Sequence, residues 1–306
     1  QQIDLNCTRN LPMTKLKTGN LLDFSLLLLV AIVWGTSYGI AKTAILYYPI
    51  LGFIALRFIL TCIIFSPAGF RLSYQQLISS LKIGIPLGLI LLAIFIAETY
   101  GLAHTSASNS AFLISLYIVF TPFIQWIILK ERPSRRMIIA TILSLFGAFL
   151  LSVKAQESFQ FNLGDWLIIL AAALRGVMVT LTKKLTQNKP EISSIFLTCI
   201  QAGVVGVSCL VLTLVINFKS TIQLPQSSTF WLSLGYLVIF CTLFAFFVQN
   251  FTVRRSSPAK VSLLMGTEPV WGALYAVFIM HESLSIIAWC GGLIIVLASL
   301  WASIKN

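Results

Sequence analysis

Long apolar runs separated by short polar segments fill the chain from residue 22 to residue 303. A helix needs about 20 predominantly apolar residues to cross the hydrocarbon core of a bilayer. Ten runs come close to that length, and each predicts a membrane-spanning helix. Their predicted bounds are 22–41, 49–66, 83–102, 107–129, 137–153, 165–182, 192–217, 230–250, 258–280 and 285–303. We therefore predict an all-α membrane protein with ten transmembrane helices.

Composition favours a lipid environment over a water-soluble fold. Hydrophobic residues make up 58% of the 306 residues and charged residues only 10%, whereas soluble domains carry about 25% charged residues. The net charge of +12 would suit a nucleic-acid-binding protein. The basic residues are dispersed in short clusters between the apolar runs, however, and no nucleic-acid motif is present. We predict no nucleic-acid partner and interpret the basic residues as determinants of membrane orientation.

The basic residues are unequally divided between the two sides of the membrane. With the N-terminus in the cytoplasm, sixteen of the 21 Lys and Arg residues fall in cytoplasmic segments, three in outer segments, and Arg57 and Arg175 within spans. Such an excess marks cytoplasmic segments, and an even number of spans returns the chain to the same side. Both termini are predicted to be cytoplasmic. Residues 1–21 form a predicted polar tail without the pattern of a signal peptide, and Met13 is an alternative start of the native chain.

The chain contains a weak internal repeat. Residues 106–151 align with residues 257–302, and each stretch consists of a long span, a tight turn with a glutamate, and a span rich in small residues. A unit of five spans inserted twice must face opposite ways, because an odd number of crossings changes the side of the membrane. We predict two inverted five-helix repeats, residues 22–153 and 165–303. Carriers of this type place the solute site near the midplane between their halves.

Short motifs occur in a fixed order through both halves of the chain. They are Trp34-Gly35-Thr36-Ser37, Leu56-Arg57-Phe58, Tyr100-Gly101-Leu102, Thr105-Ser106-Ala107-Ser108-Asn109, Leu129-Lys130-Glu131-Arg132-Pro133, Glu268-Pro269-Val270 and His281-Glu282. In order and spacing these motifs resemble the EamA-domain carriers of the drug/metabolite transporter superfamily. The resemblance covers nearly all of residues 22–303. It implies ten helices, two EamA units and transport of metabolites such as amino acids, without identifying the solute. Glu98 and Arg175 depart from the uncharged and aromatic residues usual at these positions of the family.

Four ionisable residues stand out inside the predicted spans, where each charge costs about 2.5–3.5 kcal/mol on insertion scales. They are Arg57, Glu98, Arg175 and Glu268. Arg175 is the deepest cation, and we expect it to face a central cavity and to contact the solute or Glu268. Structural alternatives remain open. Arg57 can hold neighbouring carbonyls, Glu268 can bind backbone groups freed by Pro269, and the four charges can neutralise one another.

Aromatic residues at helical spacing supply a second set of candidates. Trp34 and Tyr38 share one face of span 1, and Glu268, Trp271 and Tyr275 share one face of span 9. Small-molecule pockets are typically lined by aromatic side chains with a small number of polar groups among them. Packing of the aromatic side chains against lipid is the alternative explanation of these stripes. The predicted substrate-binding residues are Trp34, Tyr38, Arg57, Glu98, Asn109, Tyr117, Arg175, Glu268, Trp271 and Tyr275.

No catalytic motif occurs in the chain, so we predict neither an enzyme nor a cofactor. His104 and His281 lie in opposite halves, and the six cysteines show no metal-binding spacing. We expect no metal site. Pro86, Pro122 and Pro269, together with the GxxxG pairs of spans 1 and 3, are candidate gating positions, with plain packing as the alternative.

The predicted function is that of a secondary transporter in the bacterial cytoplasmic (inner) membrane. It would move a small amino-acid-like or zwitterionic metabolite by alternating access, as a monomer or a homodimer. A zwitterion needs both an anionic and a cationic partner, which Glu98 or Glu268 and Arg175 can provide. The alternative is a multidrug exporter of cations that uses protons as its coupling ion, because a buried glutamate is suited to proton exchange.

Overall fold

The computed structural model describes residues 15–105, 107–152, 162–216, 223–279 and 285–303, which form helices and short connections. The α-helices are α1 (Lys15–Ala44), α2 (Ile50–Phe65), α3 (Tyr74–His104), α4 (Ala107–Ile114), α5 (Tyr117–Leu129), α6 (Arg135–Ser152), α7 (Leu163–Thr186), α8 (Ser194–Ile216), α9 (Ser228–Tyr236), α10 (Ala245–Val253), α11 (Pro258–Met265), α12 (Glu268–Ile279) and α13 (Ile286–Ser303). A 3₁₀-helix at Ser66–Arg71 follows α2, and a π-helix at Leu237–Phe244 joins α9 to α10.

Among the residues that the structure describes, seven helical segments are long and apolar enough to cross a membrane. They are Leu22–Ala44, Ile50–Arg71, Tyr74–His104, Ser110–Leu129, Leu163–Thr186, Ser194–Ile216 and Ser228–Val253. The chain is therefore a multi-pass membrane protein. The other three predicted spans correspond to α6 and α13, of 18 residues each, and to α11 followed by α12, of 8 and 12 residues. The total of ten crossings stays a prediction.

Two of the predicted spans are each divided into two helices. α4 ends at Ile114 and α5 begins at Tyr117, and α11 ends at Met265 while α12 begins at Glu268. The two breaks meet inside the protein, because a Cβ added at Gly266 would collide with the side chain of Ile118. At each break, N–H groups of the following helix bond to carbonyls of the connecting residues, as from Ile118 to Ser115 and from Val270 to Thr267. The start of a helix carries a partial positive charge, which favours an anionic or hydrogen-bond-accepting group.

The three candidate gating prolines lie within helices rather than at the breaks between them, and their role in gating stays a prediction. Pro122 lies inside α5 and Pro86 inside α3, and both helices continue through the proline. Pro269 is the second residue of α12, where a helix does not need the missing N–H group. The breaks fall instead just before Tyr117 and just before Glu268, at positions with no proline.

Glycine residues allow close contacts of α1 with α12 and of α7 with α5. A Cβ added to Gly35 of α1 would lie 2.5 Å from the carbonyl oxygen of Glu268, at the start of α12. A Cβ added to Gly176 of α7 would lie 3.3 Å from the backbone nitrogen of Thr121 in α5. α2 packs on α8, α3 on both α7 and α8, and α6 on α13.

The second GxxxG pair acts in packing. Gly84 and Gly88 of α3 face Ile200 and Val204 of α8, which an added Cβ would approach to 2.6 and 2.7 Å. Small residues allow helices to approach closely in a membrane protein. The GxxxG pair of α3 thus sets its distance from α8.

Candidate functional site

Arg175 lies between the carboxylate of Glu268, which is fully buried, and that of Glu98, which is partly buried. Its Nη2 is 2.9 Å from Oε2 of Glu98 in α3, and its Nη1 is 3.5 Å from Oε1 of Glu268 in α12. Arg175 is 9% exposed and Glu268 is fully buried. The structure therefore joins Arg175 both to the partner considered from sequence and, more closely, to Glu98. Removal of one partner from such a buried arrangement leaves a charge without compensation.

Glu268 is held by side chains from three helices. The hydroxyl of Tyr38 donates to its Oε2 at 3.2 Å, and the hydroxyl of Tyr117 donates to its Oε1 at 3.4 Å. Arg175 supplies the third donor at 3.5 Å. As the first residue of α12, Glu268 also lies at the positive end of the helix dipole. Its carboxylate thus contacts side chains rather than the backbone groups near Pro269 that the sequence suggested.

Trp34 fixes the other face of the Arg175 guanidinium. The Cζ atom of Arg175 lies 4.8 Å from the ring centroid of Trp34 and 5.9 Å from that of Tyr117. The indole Nε1 of Trp34 donates to the carbonyl oxygen of Cys241, in the π-helix, at 2.9 Å. A cation above an aromatic face is attracted by the ring quadrupole. Arg175 is therefore oriented by aromatic rings as well as by its two acids.

A small cavity lies beside the Arg175–Glu98 pair. Its volume is about 20 Å³, which is room for roughly one water molecule. The lining residues are Trp34, Ser37, Tyr38, Ala41, Phe53, Arg57, Phe95, Glu98, Thr99, Leu102 and Arg175. A second cavity of about 10 Å³ shares Trp34 and Arg175 and is bordered by Gln249 and Met178. A metabolite of amino-acid size needs the surrounding helices to move apart.

The structure separates the predicted site residues into groups. Trp34, Tyr38, Arg57, Glu98 and Arg175 line the cavity, and Tyr117 and Glu268 belong to the same hydrogen-bond network. The side chain of Asn109 lies outside the described residues.

Trp271 and Tyr275 do not line either cavity. Trp271 donates from Nε1 to the hydroxyl of Thr267 at 3.2 Å, and its Cβ lies beside Gly35. Tyr275 lies next to Gly39 of α1, where an added Cβ would be 3.9 Å from the tyrosine ring. These aromatics of α12 pack against α1, and a contact of either residue with the solute stays a prediction.

Sequence reasoning missed several polar and aromatic residues of the site. Ser37 and Thr99 line the cavity. They adjoin the predicted residues Tyr38 and Glu98 in the sequence, and this proximity could have identified them. Phe53 and Phe95 read as ordinary apolar residues. Thr242 accepts a hydrogen bond from Nε of Arg57 at 2.7 Å. It lies in a π-helix, which the periodicity of the sequence does not predict.

Hydrogen bonds join helix ends on both sides of the cavity. On one side the hydroxyl of Thr105 donates to Oδ1 of Asp165 at 2.7 Å, and Lys42 donates to the carbonyl of Thr105. On the other side the backbone N–H of Ala259 donates to Oε1 of Gln125 at 2.9 Å. These contacts tie α1 and α3 to α7, and α5 to α11. Among the described residues, no three His, Cys, Asp or Glu side chains come together as around a metal ion.

Comparison with known proteins identifies a family, relatives and a solved structure that are similar to this chain. A model of the EamA-like transporter family matches residues 23–153 and 162–304. An "Uncharacterized transporter" of Archaeoglobus fulgidus is 24% identical over 279 residues, which cover 91% of this chain and 85% of that protein. A "Probable amino-acid metabolite efflux pump" of Salmonella typhimurium is 22% identical over 289 residues, 92% of this chain and 94% of that protein. A solved crystal structure shares the fold at a TM-score of 0.71 and 16% identity, covering 91% of this chain and 96% of its own.

Proposed function

Because the chain belongs to the EamA-like transporter family, we propose that it moves a small zwitterionic, amino-acid-like metabolite across the cytoplasmic membrane by alternating access. The observation that carries this proposal is the pairing of opposite charges at one cavity, where Glu98 and Arg175 lie 2.9 Å apart beside Arg57. A zwitterion presents both signs of charge, and such a cavity offers a partner to each. The relative from Salmonella typhimurium supports this solute class through its name.

The unequal distances around Arg175 suggest how a solute enters the network. Arg175 is 2.9 Å from Glu98 but 3.5 Å from Glu268. An ammonium group that binds Glu98 competes with Arg175 for the same carboxylate, and Arg175 then closes on Glu268. Glu98, Glu268 and Arg175 each keep an opposite partner during this exchange, which avoids the penalty for an unpaired ion.

Helix pairing supports the two proposed repeats, residues 22–153 and 165–303. Gly35 of α1 packs on the start of α12, and Gly176 of α7 packs on α5. If an axis in the membrane plane relates the two halves, α1 corresponds to α7 and α5 corresponds to α12. The contact of α1 with α12 is then equivalent to the contact of α7 with α5. The pairs α2–α8 and α6–α13 each join one element of the first repeat to its counterpart in the second. In carriers with inverted repeats, the halves rock about a central site.

A transport assay on proteoliposomes tests the proposed solute class. We expect uptake of at least one labelled L-amino acid, and we expect Glu98→Gln to abolish that uptake because the ammonium partner is lost. Glu191→Gln is the matched control, since Glu191 is exposed at the end of the connection between α7 and α8. Counterflow of each solute should be measured with and without a pH gradient. Transport restricted to organic cations and driven by the gradient would replace this proposal by proton-coupled cation export.

Cysteine labelling tests the proposed orientation. In a cysteine-free background, Leu163→Cys and Gln187→Cys place one thiol at the start of α7 and one just after its end. Both positions are exposed. With cytoplasmic termini, an impermeant maleimide added to intact cells labels position 163 and not position 187. The opposite pattern inverts the topology, and disrupted cells provide the control in which both positions react.

A further inference from the structure

Arg57 of α2 is a second buried arginine beside the cavity, and its surroundings differ from those of Arg175. It is 6% exposed and lines the same cavity as Glu98. Its Nε donates to the hydroxyl of Thr242 at 2.7 Å. Its guanidinium carbon lies 5.1 Å from the ring centroid of Phe95 and 5.7 Å from that of Phe58. One neutral hydroxyl and two aromatic rings thus surround this cation.

The charge of Arg57 has no close counterion in the described part of the chain. Arg175 forms ion pairs with both Glu98 and Glu268, whereas no carboxylate among the described residues comes within 4.0 Å of Arg57. Cation–π contacts and one hydroxyl recover only part of what a cation loses on leaving water. Arg57 is therefore the group of this cavity with the most to gain from an anionic ligand.

The geometry of Arg57 suits a carboxylate. Nε is its one guanidinium nitrogen with a hydrogen-bond acceptor among the described residues, which leaves the two terminal amino groups for a ligand. Two parallel N–H donors in one plane match the two oxygens of a carboxylate. A phosphate monoester would bring a second negative charge close to Glu98, which disfavours it.

We propose that Arg57 binds the carboxylate of the transported solute, and that it determines the selectivity for amino acids over the corresponding amines. This inference rests on the proposed function and adds the anionic end of the recognition. The solute's ammonium then lies toward Glu98 and its carboxylate toward Arg57, so the α-amino acid moiety spans from α3 to α2. Arg175 serves as the exchangeable partner of Glu98, and Arg57 as the fixed anion site.

The test compares acids with their amides on the purified full-length protein in detergent. Each of the L-amino acids is titrated while the melting temperature is followed, and every stabilising one is compared with its carboxamide, which keeps the ammonium and lacks the carboxylate. We expect the parent protein to bind the acid at least roughly tenfold more tightly than the amide, as the loss of a charged hydrogen-bonded pair predicts. Arg57→Gln should abolish that preference. Arg57→Lys should weaken it, because one ammonium does not reproduce the planar fork.

Two further readouts separate ligand binding from a structural role. Without solute, Arg57→Gln should melt at the same or a higher temperature, because an unpaired buried charge has been removed. Thr61→Val is the matched control on α2, since the Thr61 hydroxyl donates to the carbonyl of Arg57 within its own helix and does not line the cavity. It should keep the preference for the acid.

The outcomes distinguish the inference from the function on which it rests. Equal binding of acid and amide by the parent, or an intact preference in Arg57→Gln, overturns the role of Arg57 and leaves amino-acid transport standing. If Arg57→Gln does not fold, the parent and Arg57→Lys decide the question in the same assay. If neither acids nor amides stabilise the protein, the proposed solute class is wrong, and this inference falls with it.

Discussion

Arg175→Ala is expected to reduce the yield of folded protein more than any other single substitution in the cavity. The change leaves Glu98 and Glu268 buried together without the cation that lies 2.9 and 3.5 Å from them. Stranding a buried charge in this way typically costs about 3–5 kcal/mol, a large share of the stability of most proteins. Folded yield and melting temperature in detergent measure the effect.

Second substitutions identify which carboxylate depends on Arg175. Arg175→Ala combined with Glu268→Ala should recover part of the lost yield, because one of the two stranded charges is removed with it. Arg175→Ala combined with Glu98→Ala should recover more of the folded yield if the shorter contact, between Arg175 and Glu98, contributes more to stability than the contact with Glu268. Transport should be absent in Arg175→Ala and in both double variants. Single and double variants of equal stability would show that the acids do not need Arg175.

Arg175→Lys separates charge from geometry in the same set. Lysine keeps the positive charge, so the folded yield should stay near that of the parent. A single ammonium cannot hold both carboxylates as the guanidinium does, and transport should fall by roughly tenfold or more. Parent-like transport by Arg175→Ala, Arg175→Lys and the double variants together would exclude Arg175 from the transport cycle.

Gly35→Val is expected to disrupt the contact between α1 and α12. Its Cβ would lie 2.5 Å from the carbonyl oxygen of Glu268, 2.8 Å from Cβ of Trp271 and 2.9 Å from the nitrogen of Gly272. Two of these atoms belong to the backbone and cannot rotate away, so the helices must separate. Overpacking of this kind costs about 1–3 kcal/mol or more. Because the displaced backbone carries Glu268, transport should be lost even where the protein still folds.

Gly39→Ala provides the matched control one turn later on α1. Its added Cβ would lie 3.9 Å from the ring of Tyr275, an ordinary van der Waals contact. We expect its melting temperature and transport rate to match the parent. Gly35→Ala should fall between Gly39→Ala and Gly35→Val. An unaffected Gly35→Val would mean that α1 and α12 are further apart in the membrane than in this structure.

The charged centre could be predicted from the sequence because the cost of burial is a general property of ionisable groups. Arg57, Glu98, Arg175 and Glu268 are conspicuous in apolar spans, and all four contribute to the cavity or to the network beside it. Their division into an ion-paired trio and a separate arginine could not be predicted. It depends on the packing of α2, α3, α7 and α12, and no local pattern specifies which acid faces which base.

The aromatic stripe of α12 shows what periodicity leaves undetermined. Glu268 and Tyr275 are seven residues apart on one face, a rise of about 10 Å along a helix. A cavity of about 20 Å³ is too small to reach both ends of that stripe. The carboxylate reaches the central network, and the aromatic residues farther along pack on α1. Periodicity identifies a shared face, but only packing determines how much of it the site occupies.

The π-helix at Leu237–Phe244 has a consequence for comparing this chain with its relatives. The side-chain hydroxyl of Thr242 donates to the carbonyl of Leu237, five residues earlier, and the carbonyl of Cys241 in the same segment accepts from the indole of Trp34. A relative that lacks one residue in this segment can keep an unbroken span by reverting to α-helical spacing. That single deletion would turn the preceding part of the span by about 100° relative to the following part. An alignment that places the gap elsewhere in this apolar stretch would therefore not reveal that both contacts are lost. The position of the gap shows whether a relative has kept the π-helix.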